Sequence, residues 1–274
     1  MKIDPHTAAV LADRAEALAF ADLYAAAAPA LRSRLGLRVE HMAGATLLLA
    51  PGLPVAMFNR VIGLGLQQPV TDADIDAIVA AYRGAGIAPW WLHVNPLAAP
   101  ADLAARLQAR GFSAPPRRSW AKMLRGTEAA APVDSSLLIV PARDDQVAET
   151  AQVVTTTFEM PPFVADWFAA LHGRPHWRFY SVLDGAAVVG GGCLFVDGDL
   201  GWLGMGAVLP THRRRGGQAA LMARRIADAG AAGARWAVTE TGEPIGDEPN
   251  PSLANMRRAG FEQVASRLNF AAPA

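Results

Sequence analysis

The pattern of apolar and polar positions changes from a helical to a strand-like period after about residue 35. Before that point, residues 5–35 are rich in Ala and Leu at helical spacing, and Asp4 and Pro5 are suited to start a helix. This predicts one long helix or a pair of helices. After it, apolar runs predict strands at residues 38–42, 45–50 and 55–66.

Alternating helices and strands continue to residue 125. Thr71 and Asp74 have the residue types and spacing of a capping box, which predicts a helix through Arg83. Further patterns predict a strand, a helix and a closing strand at residues 87–94, 100–112 and 120–124.

The pattern restarts after residues 126–135, which have the small and polar composition of a linker. Asp144 is placed to cap a helix that runs to Phe158. Asp-Gly pairs at 184–185 and 197–198 predict hairpin turns between three strands. The other predicted elements are strands at 136–140 and 235–241, helices at 216–230 and 252–261, a short helix after a loop at 160–163, and a final strand or hairpin.

The two halves resemble each other in the order of their elements. Residues 107–112 (LQARGF) and 256–261 (MRRAGF) both end a helix with Gly-Phe, and each follows a strand that contains Trp. The order predicts a mixed αβ fold made of two copies of one unit, residues 1–125 and 136–274. An unrelated αβ domain over the first 125 residues remains the alternative.

Composition and charge exclude several classes of protein. The chain has 274 residues, 52% hydrophobic and 18% charged, which argues against disorder. Lys plus Arg equals Asp plus Glu at 25 each, so no overall charge favours nucleic acid or a membrane surface. A single cysteine, Cys193, excludes an intrachain disulfide framework. With no signal peptide and no apolar span, we expect a cytoplasmic protein, either a monomer or a homodimer.

The strongest candidate for chemistry is VLPTHRRRGGQAAL, residues 208–221. A strand should end at Pro210, because proline cannot continue a central ladder, and a helix pattern begins after Gly217. The start of a helix presents unpaired N–H groups and partial positive charge. Glycines allow close approach to the backbone, and the three arginines carry donors suited to phosphate. The segment therefore predicts a phosphate-binding turn, with a solvated basic loop as the alternative.

Other site chemistries lack their motifs. The Gly-Lys-Ser/Thr of a P-loop is absent, and GMGAVL has only the first two glycines of a dinucleotide fingerprint. There is no G-x-S-x-G serine elbow. With one cysteine and no H-E-x-x-H, no metal site is expected.

The turn resembles the acyl-CoA-binding motif of the GNAT superfamily of N-acyltransferases. The residues that stand at the motif's positions are Val208, Pro210, Arg213 and Gly216. The helix at 252–261 resembles the penultimate helix of the family. The likeness covers residues 136–270 in motif and element order, and the first half by shape only. Gln218 departs from the family pattern, which has Gly or Ala at that position.

The resemblance implies tandem GNAT-like domains, each a mixed, mostly antiparallel sheet flanked by helices, with acetyl-CoA bound by the second. The pyrophosphate would lie on the N–H groups of residues 213–218, and the pantetheine arm would pair with the backbone near Ala207 and Val208. Asn255 would contact the pantetheine or the acceptor. The implied cofactor-binding residues are Ala207, Val208, Arg213, Arg214, Arg215, Gly216, Gly217, Gln218 and Asn255.

The implied reaction is direct attack of an amine, from a small molecule or a peptide, on the thioester. It needs a general base. Glu240 is the first candidate and Glu159 the second, and a solvated carboxylate explains each equally well. The family often has a Tyr acid where this chain has Met256, which cannot donate a proton.

The first half has no equivalent phosphate turn. Residues 64–78 lack the arginines and the glycine pair, and Asp72, Asp74 and Asp76 stand at the helix start, where carboxylates are favourable and repel phosphate. We expect a degenerate copy that acts as scaffold or shapes the acceptor cleft. The leading function is N-acetyl transfer. The alternatives are a non-catalytic acyl-CoA-binding or scaffold protein and, against the balanced charge, a nucleotide- or nucleic-acid-binding protein.

Overall fold

The computed structural model describes residues 3–114, 119–128 and 133–273. The described residues form one mixed sheet of 11 strands with helices packed on both faces, which confirms the mixed αβ expectation. The helices and strands of the first half are α1 (Pro5–Ala26), α2 (Pro29–Leu35), β1 (Arg38–Met42), β2 (Ala45–Leu49), β3 (Arg60–Ile62), α3 (Asp72–Gly84), β4 (Trp91–Val94), α4 (Leu103–Ala109) and β5 (Ser119–Gly126).

The second half repeats the pattern with longer strands. Its elements are β6 (Leu138–Pro141), α5 (Val147–Thr157), α6 (Val164–Ala169), β7 (Trp177–Asp184), β8 (Ala187–Asp197), β9 (Leu200–Val208), α7 (Gly217–Ala231), β10 (Trp236–Gly242), α8 (Pro251–Arg258) and β11 (Glu262–Ala271). Short 3-10 helices lie at Ala56–Phe58 and Pro210–His212.

Two local predictions are wrong. The run at residues 55–66 is a strand only at β3, because a 3-10 helix precedes it and glycines with positive φ follow it. Asp144 does not cap α5, which begins after Gln146 without a side-chain cap. The Asp144 carboxylate lies instead 2.9 Å from Nε2 of His172.

The strands follow the order β1-β2-β3-β4-β11-β5-β10-β9-β8-β7-β6. Strand β11, from the second half, pairs antiparallel with both β4 and β5, and β5, from the first half, pairs antiparallel with β10. The sheets of the two halves are therefore continuous. The domain limits 1–125, 126–135 and 136–274 remain a prediction, and residues 129–132 of the predicted linker lie outside the described residues.

Among the strands that the structure describes, only β3–β4 and β9–β10 pair in parallel, and in each pair a helix, α3 or α7, connects the two strands. Backbone pairing between β9 and β10 ends at Trp202 and Val238, although β9 continues to Val208. Strand β9 also carries a bulge, since Ala207 pairs with Gly191 whereas Gly204 pairs with Cys193. Beyond these residues β9 and β10 no longer pair with each other, although β9 still pairs with β8 and β10 with β5, and this leaves a gap between them beside the start of α7.

One face of the sheet packs against α1, α5 and α6, and the other against α3 and α4 in the first half and α7 and α8 in the second. Helix α1 extends over strands of both halves. Its Phe20 ring meets the Trp202 ring of β9 edge to face, with centroids 5.6 Å apart. The first half therefore covers one side of the gap between β9 and β10.

Candidate functional site

The start of α7 is open to an anion. Arg214 (φ +63°) and Gly216 (φ +78°) have left-handed backbone, which turns the chain from β9 into the helix. Gly216 is the N-cap residue and has no side chain that could cap the helix. The backbone N–H groups of residues 214–219 donate no hydrogen bond to any described residue. Together with the helix dipole, these N–H groups can bind an anion such as a phosphate.

The three arginines of the turn have different surroundings. The Arg215 guanidinium donates to both carboxylate oxygens of Asp184, at 2.6 and 3.0 Å, and its Nε donates to Ser136 Oγ at 2.9 Å. This hydrogen-bonded pair lowers the pKa of Asp184. Arg213 and Arg214 are exposed, and the side chain of neither forms a hydrogen bond or ion pair with a described residue. Arg215 therefore anchors the turn, whereas Arg213 and Arg214 can reach a ligand.

The two glycines of the turn are required by packing as well. A Cβ on Gly216 would lie 2.2 Å from the carbonyl oxygen of Asp134, and one on Gly217 would lie 2.7 Å from Cδ1 of Leu137. The glycines therefore let the turn pack against the segment that leads into β6. Sequence reasoning assigned them only to the approach of a ligand.

The end of β9 is bound to α7 through side chains. Gln218 Nε2 donates to the carbonyl oxygen of Gly206 at 3.3 Å, while its Oε1 is buried and has no partner among the described residues. Arg225 donates to the carbonyl oxygens of Cys193 and Gly204 at 3.1 and 3.0 Å. Burial lowers the pKa of Arg225 to about 10. These contacts hold the bulge of β9 beside the start of α7.

Glu240 lies on β10, just beyond the last residue paired with β9. Its carboxylate accepts hydrogen bonds from Lys122 Nζ at 2.9 Å and from Trp202 Nε1 at 3.1 Å. Its side chain is 7% exposed. The first candidate base is therefore held in a fixed position by one residue of each half.

Lys122 belongs to a buried cluster of charged side chains under α1. The members, three acidic and three basic, are Asp13, Glu16, Arg60, Lys122, Glu240 and Arg267. Glu16 lies at the centre, with its carboxylate oxygens 2.8 Å from Lys122 Nζ and 2.8 Å from Arg60 Nη2. Although burial alone raises the pKa of Glu16, the charges of Arg267, Lys122 and Arg60 hold it well below its usual range.

The other predicted residues are not brought to Glu240. Glu159 is exposed and follows α5 with a φ of +54°, and no hydrogen bond joins its side chain to the described residues. Asn255, on α8, accepts a hydrogen bond from Arg258. Met256, at the family's acid position, is buried in the core between the sheet and helices α7 and α8.

Sequence reasoning missed the partners of Glu240. Lys122 lies in the middle of the otherwise apolar run WAKML, and Glu16 interrupts an Ala-rich helix; both side chains are buried in the structure. A charge at a buried position indicates a partner elsewhere in the chain. The signal was present, but the sequence does not indicate which charges meet.

Two other features are absent from the described part of the chain. It holds no group of three or more His, Cys, Asp or Glu side chains that could bind a metal ion. Within the same residues, no helix is long and apolar enough to cross a membrane.

Comparison with known proteins shows the fold. No protein-family model and no curated protein matches the sequence. The structure is similar to a GCN5-related N-acetyltransferase from Kribbella flavida, with 16% identity over 97% of this chain and 96% of that one and a TM-score of 0.67. A GCN5-related N-acetyltransferase from Sphaerobacter thermophilus is 16% identical over 98% of this chain and 93% of that one, with a TM-score of 0.61.

A tandem GNAT protein from the clavulanic acid biosynthesis pathway also has this fold. It is 18% identical over 84% of this chain and 79% of its own, with a TM-score of 0.57. The chain therefore has the GNAT fold, and the likeness extends over both halves. This confirms the fold that the motif at residues 208–221 implied.

Proposed function

We propose that this protein is an N-acetyltransferase that moves an acetyl group from acetyl-CoA to an amine. The observation that carries the proposal is the open start of α7, where unpaired N–H groups and the exposed Arg213 and Arg214 lie beside the gap between β9 and β10. The GNAT fold supports acyl transfer in general.

The co-substrate would bind along this turn. Its pyrophosphate would accept hydrogen bonds from the unpaired N–H groups of residues 214–218, with Arg213 and Arg214 adding charge. The Arg213 N–H, which was expected from the sequence to belong to this set, donates instead to the Pro210 carbonyl oxygen at 3.4 Å. Its pantetheine arm would run along β9 near Ala207 and Val208 into the gap, with Asn255 beside it. Arg215, Gly216 and Gly217 would shape the turn, in keeping with their contacts to residues 134–137 and 184.

The acceptor would be a small-molecule or peptide amine. Its ammonium would lose a proton to Glu240, and the amine nitrogen would attack the thioester carbonyl carbon. The C–S bond would then break while the second proton of the nitrogen passes through water to the departing thiolate, which releases coenzyme A as the free thiol. Trp202 and Lys122 would fix the Glu240 carboxylate. Glu159, exposed in the loop after α5, remains the second candidate base.

Calorimetric titration with coenzyme A tests the binding step. The double variant Arg213→Gln with Arg214→Gln should bind about tenfold to hundredfold more weakly than the unmodified protein, because two cations that face the phosphates are lost. Arg178→Gln, which removes an exposed arginine of β7, is the matched control and should leave binding unchanged. No saturable binding to the unmodified protein would contradict the proposal.

Release of free thiol from acetyl-CoA with a panel of amines tests the chemical step. Glu240→Gln should lower kcat about 100-fold or more, as expected for loss of a general base, while coenzyme A affinity stays within a few fold. Glu159→Gln is the comparison variant. If Glu159→Gln lowers kcat more than Glu240→Gln does, Glu159 in the loop after α5 is the general base and the assignment to Glu240 is wrong.

A second candidate function is acyl-CoA binding without catalysis. Two observations favour it: Met256 stands where the family often has an acid, and Glu240 is already paired with Lys122. In that case coenzyme A would bind as above, but no amine would increase thiol release over the rate without amine.

A further inference from the structure

We propose that the side chain of Gln218 binds the co-substrate, with Oε1 accepting a hydrogen bond from an amide N–H of the pantetheine arm. The inference rests on the proposed function and extends it, because the family pattern has a residue without a polar side chain at this position. It assigns to this chain a side-chain contact in addition to the backbone contacts of the turn.

Gln218 lies in the first turn of α7, and its side chain extends toward β9. Nε2 donates to the carbonyl oxygen of Gly206 at 3.3 Å. The fit is close, since a Cβ on Gly206 would lie 3.2 Å from this Nε2 and 2.8 Å from Nη2 of Arg225. Gly206 immediately precedes the residues along which the pantetheine arm would run.

The Gly206 carbonyl fixes the orientation of the Gln218 amide. A carbonyl oxygen accepts a hydrogen bond only from the NH2 side of the amide, so Oε1 must point away from Gly206. Oε1 is buried and receives no hydrogen bond from the described residues. A buried acceptor left without a donor costs about 1–3 kcal/mol, so a donor from outside the described residues is expected there.

The pantetheine arm is the part of coenzyme A that carries suitable donors at this point. Its two amide groups each have an N–H and its pantoyl segment has a hydroxyl, whereas the ionised pyrophosphate and the thioester have only acceptors; replacing an amide by an ester distinguishes the N–H groups from the hydroxyl. The phosphates belong at the N–H groups and arginines of the turn. The arm that leaves them toward the gap between β9 and β10 passes Gly206 and therefore the buried Oε1 atom.

Gln218→Met tests the assignment, because methionine has a similar size without either polar group. Two ligands are compared by calorimetry: coenzyme A, and 3′-phospho-ADP, which has the same phosphates but no pantetheine. The variant should bind coenzyme A about 3- to 10-fold more weakly, the effect of one neutral hydrogen bond, and 3′-phospho-ADP within twofold of the unmodified protein. Gln152→Met, an exposed glutamine of α5, is the matched control.

Coenzyme analogues with each amide N–H replaced in turn by an ester oxygen complete the test. The analogue that lacks the bonded N–H should bind the unmodified protein more weakly but lose nothing further in Gln218→Met. Equal loss of both ligands would show that Gln218 acts on the phosphate turn, and no loss would show that Oε1 binds water; either result overturns the assignment. If the unmodified protein binds neither ligand, the proposed function itself fails.

Discussion

The helices α3 and α7 occupy corresponding places in the two halves, and their first turns differ. At α3, Thr71 Oγ1 accepts a hydrogen bond from the Asp74 N–H at 3.2 Å, and the Asp74 carboxylate accepts one from the Thr71 N–H at 2.8 Å. At α7, the N-cap is Gly216 and no side chain caps the helix. The first helix start is closed by its own residues, whereas the second is left open.

The charges around the two helix starts differ in the same sense. Asp72 and Asp76 lie in the first turns of α3, and the guanidinium of Arg110, the residue that follows α4, pairs with them at 3.1 and 2.9 Å. Exposed arginines stand at α7. The same helix dipole is thus satisfied internally in one half and available to an external anion in the other, which supports the interpretation of the first half as scaffold.

The largest loss of stability is expected in the buried cluster where charged side chains of the two halves pair with each other. Lys122→Met should lower the free energy of unfolding by about 3–5 kcal/mol, because it leaves the carboxylates of Glu16 and Glu240 buried with less compensating charge. Arg38→Met, in the exposed pair with Glu40, is the control and should cost no more than about 0.5 kcal/mol. Urea denaturation measures both, and equal effects would contradict a structural link between the halves.

The next largest effect compares glycine substitutions in two turns: one turn, at Gly216, packs closely against neighbouring residues, and the other, at Gly63, has open space beside it. Gly216→Ala and Gly63→Ala both place a side chain at positive φ, which costs about 1–2 kcal/mol. Only Gly216 faces a clash, with Asp134, so its variant should lose about 1–3 kcal/mol more and should also bind coenzyme A more weakly. Thermal unfolding and calorimetry measure the pair. If Gly63→Ala lost as much stability and coenzyme A affinity as Gly216→Ala, the clash with Asp134 would not be the cause of the loss.

An exchange of residues tests the comparison directly. Ala219 is the third residue of α7, as Asp74 is of α3. Ala219→Asp should weaken coenzyme A binding about 5- to 10-fold, because a carboxylate then competes with phosphate for the N–H groups. Asp74→Ala should leave that binding unchanged. If Ala219→Asp binds coenzyme A as tightly as the unmodified protein, the phosphates do not lie at this helix start.

The smallest effect is a pH dependence at α3. Hydrogen bonds from the Thr71 side chain and backbone lower the pKa of Asp74 below its usual 3.8. Its contribution to stability is therefore present above pH 3.8 and is lost as the pH falls through the lowered pKa. The difference in unfolding free energy between the unmodified protein and Asp74→Ala should shrink on acidification. A difference that stays constant would contradict the role of the ionised carboxylate.

Local signals predicted the elements well where one residue type decides the backbone. The capping box at Thr71 and the helix after Gly216 are both confirmed, because caps and glycines act on the adjacent turn. The apolar run at residues 55–66 was wrongly predicted to be one strand, because apolar composition does not distinguish a strand from a 3-10 helix followed by a short strand and glycines.

Contacts between residues far apart in the sequence could not be predicted. The period of a strand shows which side chains share a face but not which strand lies beside it, so the places of β5 and β11 could not be predicted. For the same reason, Glu240 was found as a carboxylate at a strand end, while its pairing with Lys122 was not. The turn at residues 208–221 was predictable because its features are contiguous in sequence.

The position of β11 in the sheet has a consequence for synthesis of the chain. Residues 262–271 are made after every other strand described, yet they belong between β4 and β5. Until they leave the ribosome, the edges of β4 and β5 that β11 will pair with present unpaired backbone groups. The first half therefore completes its backbone hydrogen bonding only after β11 has been made.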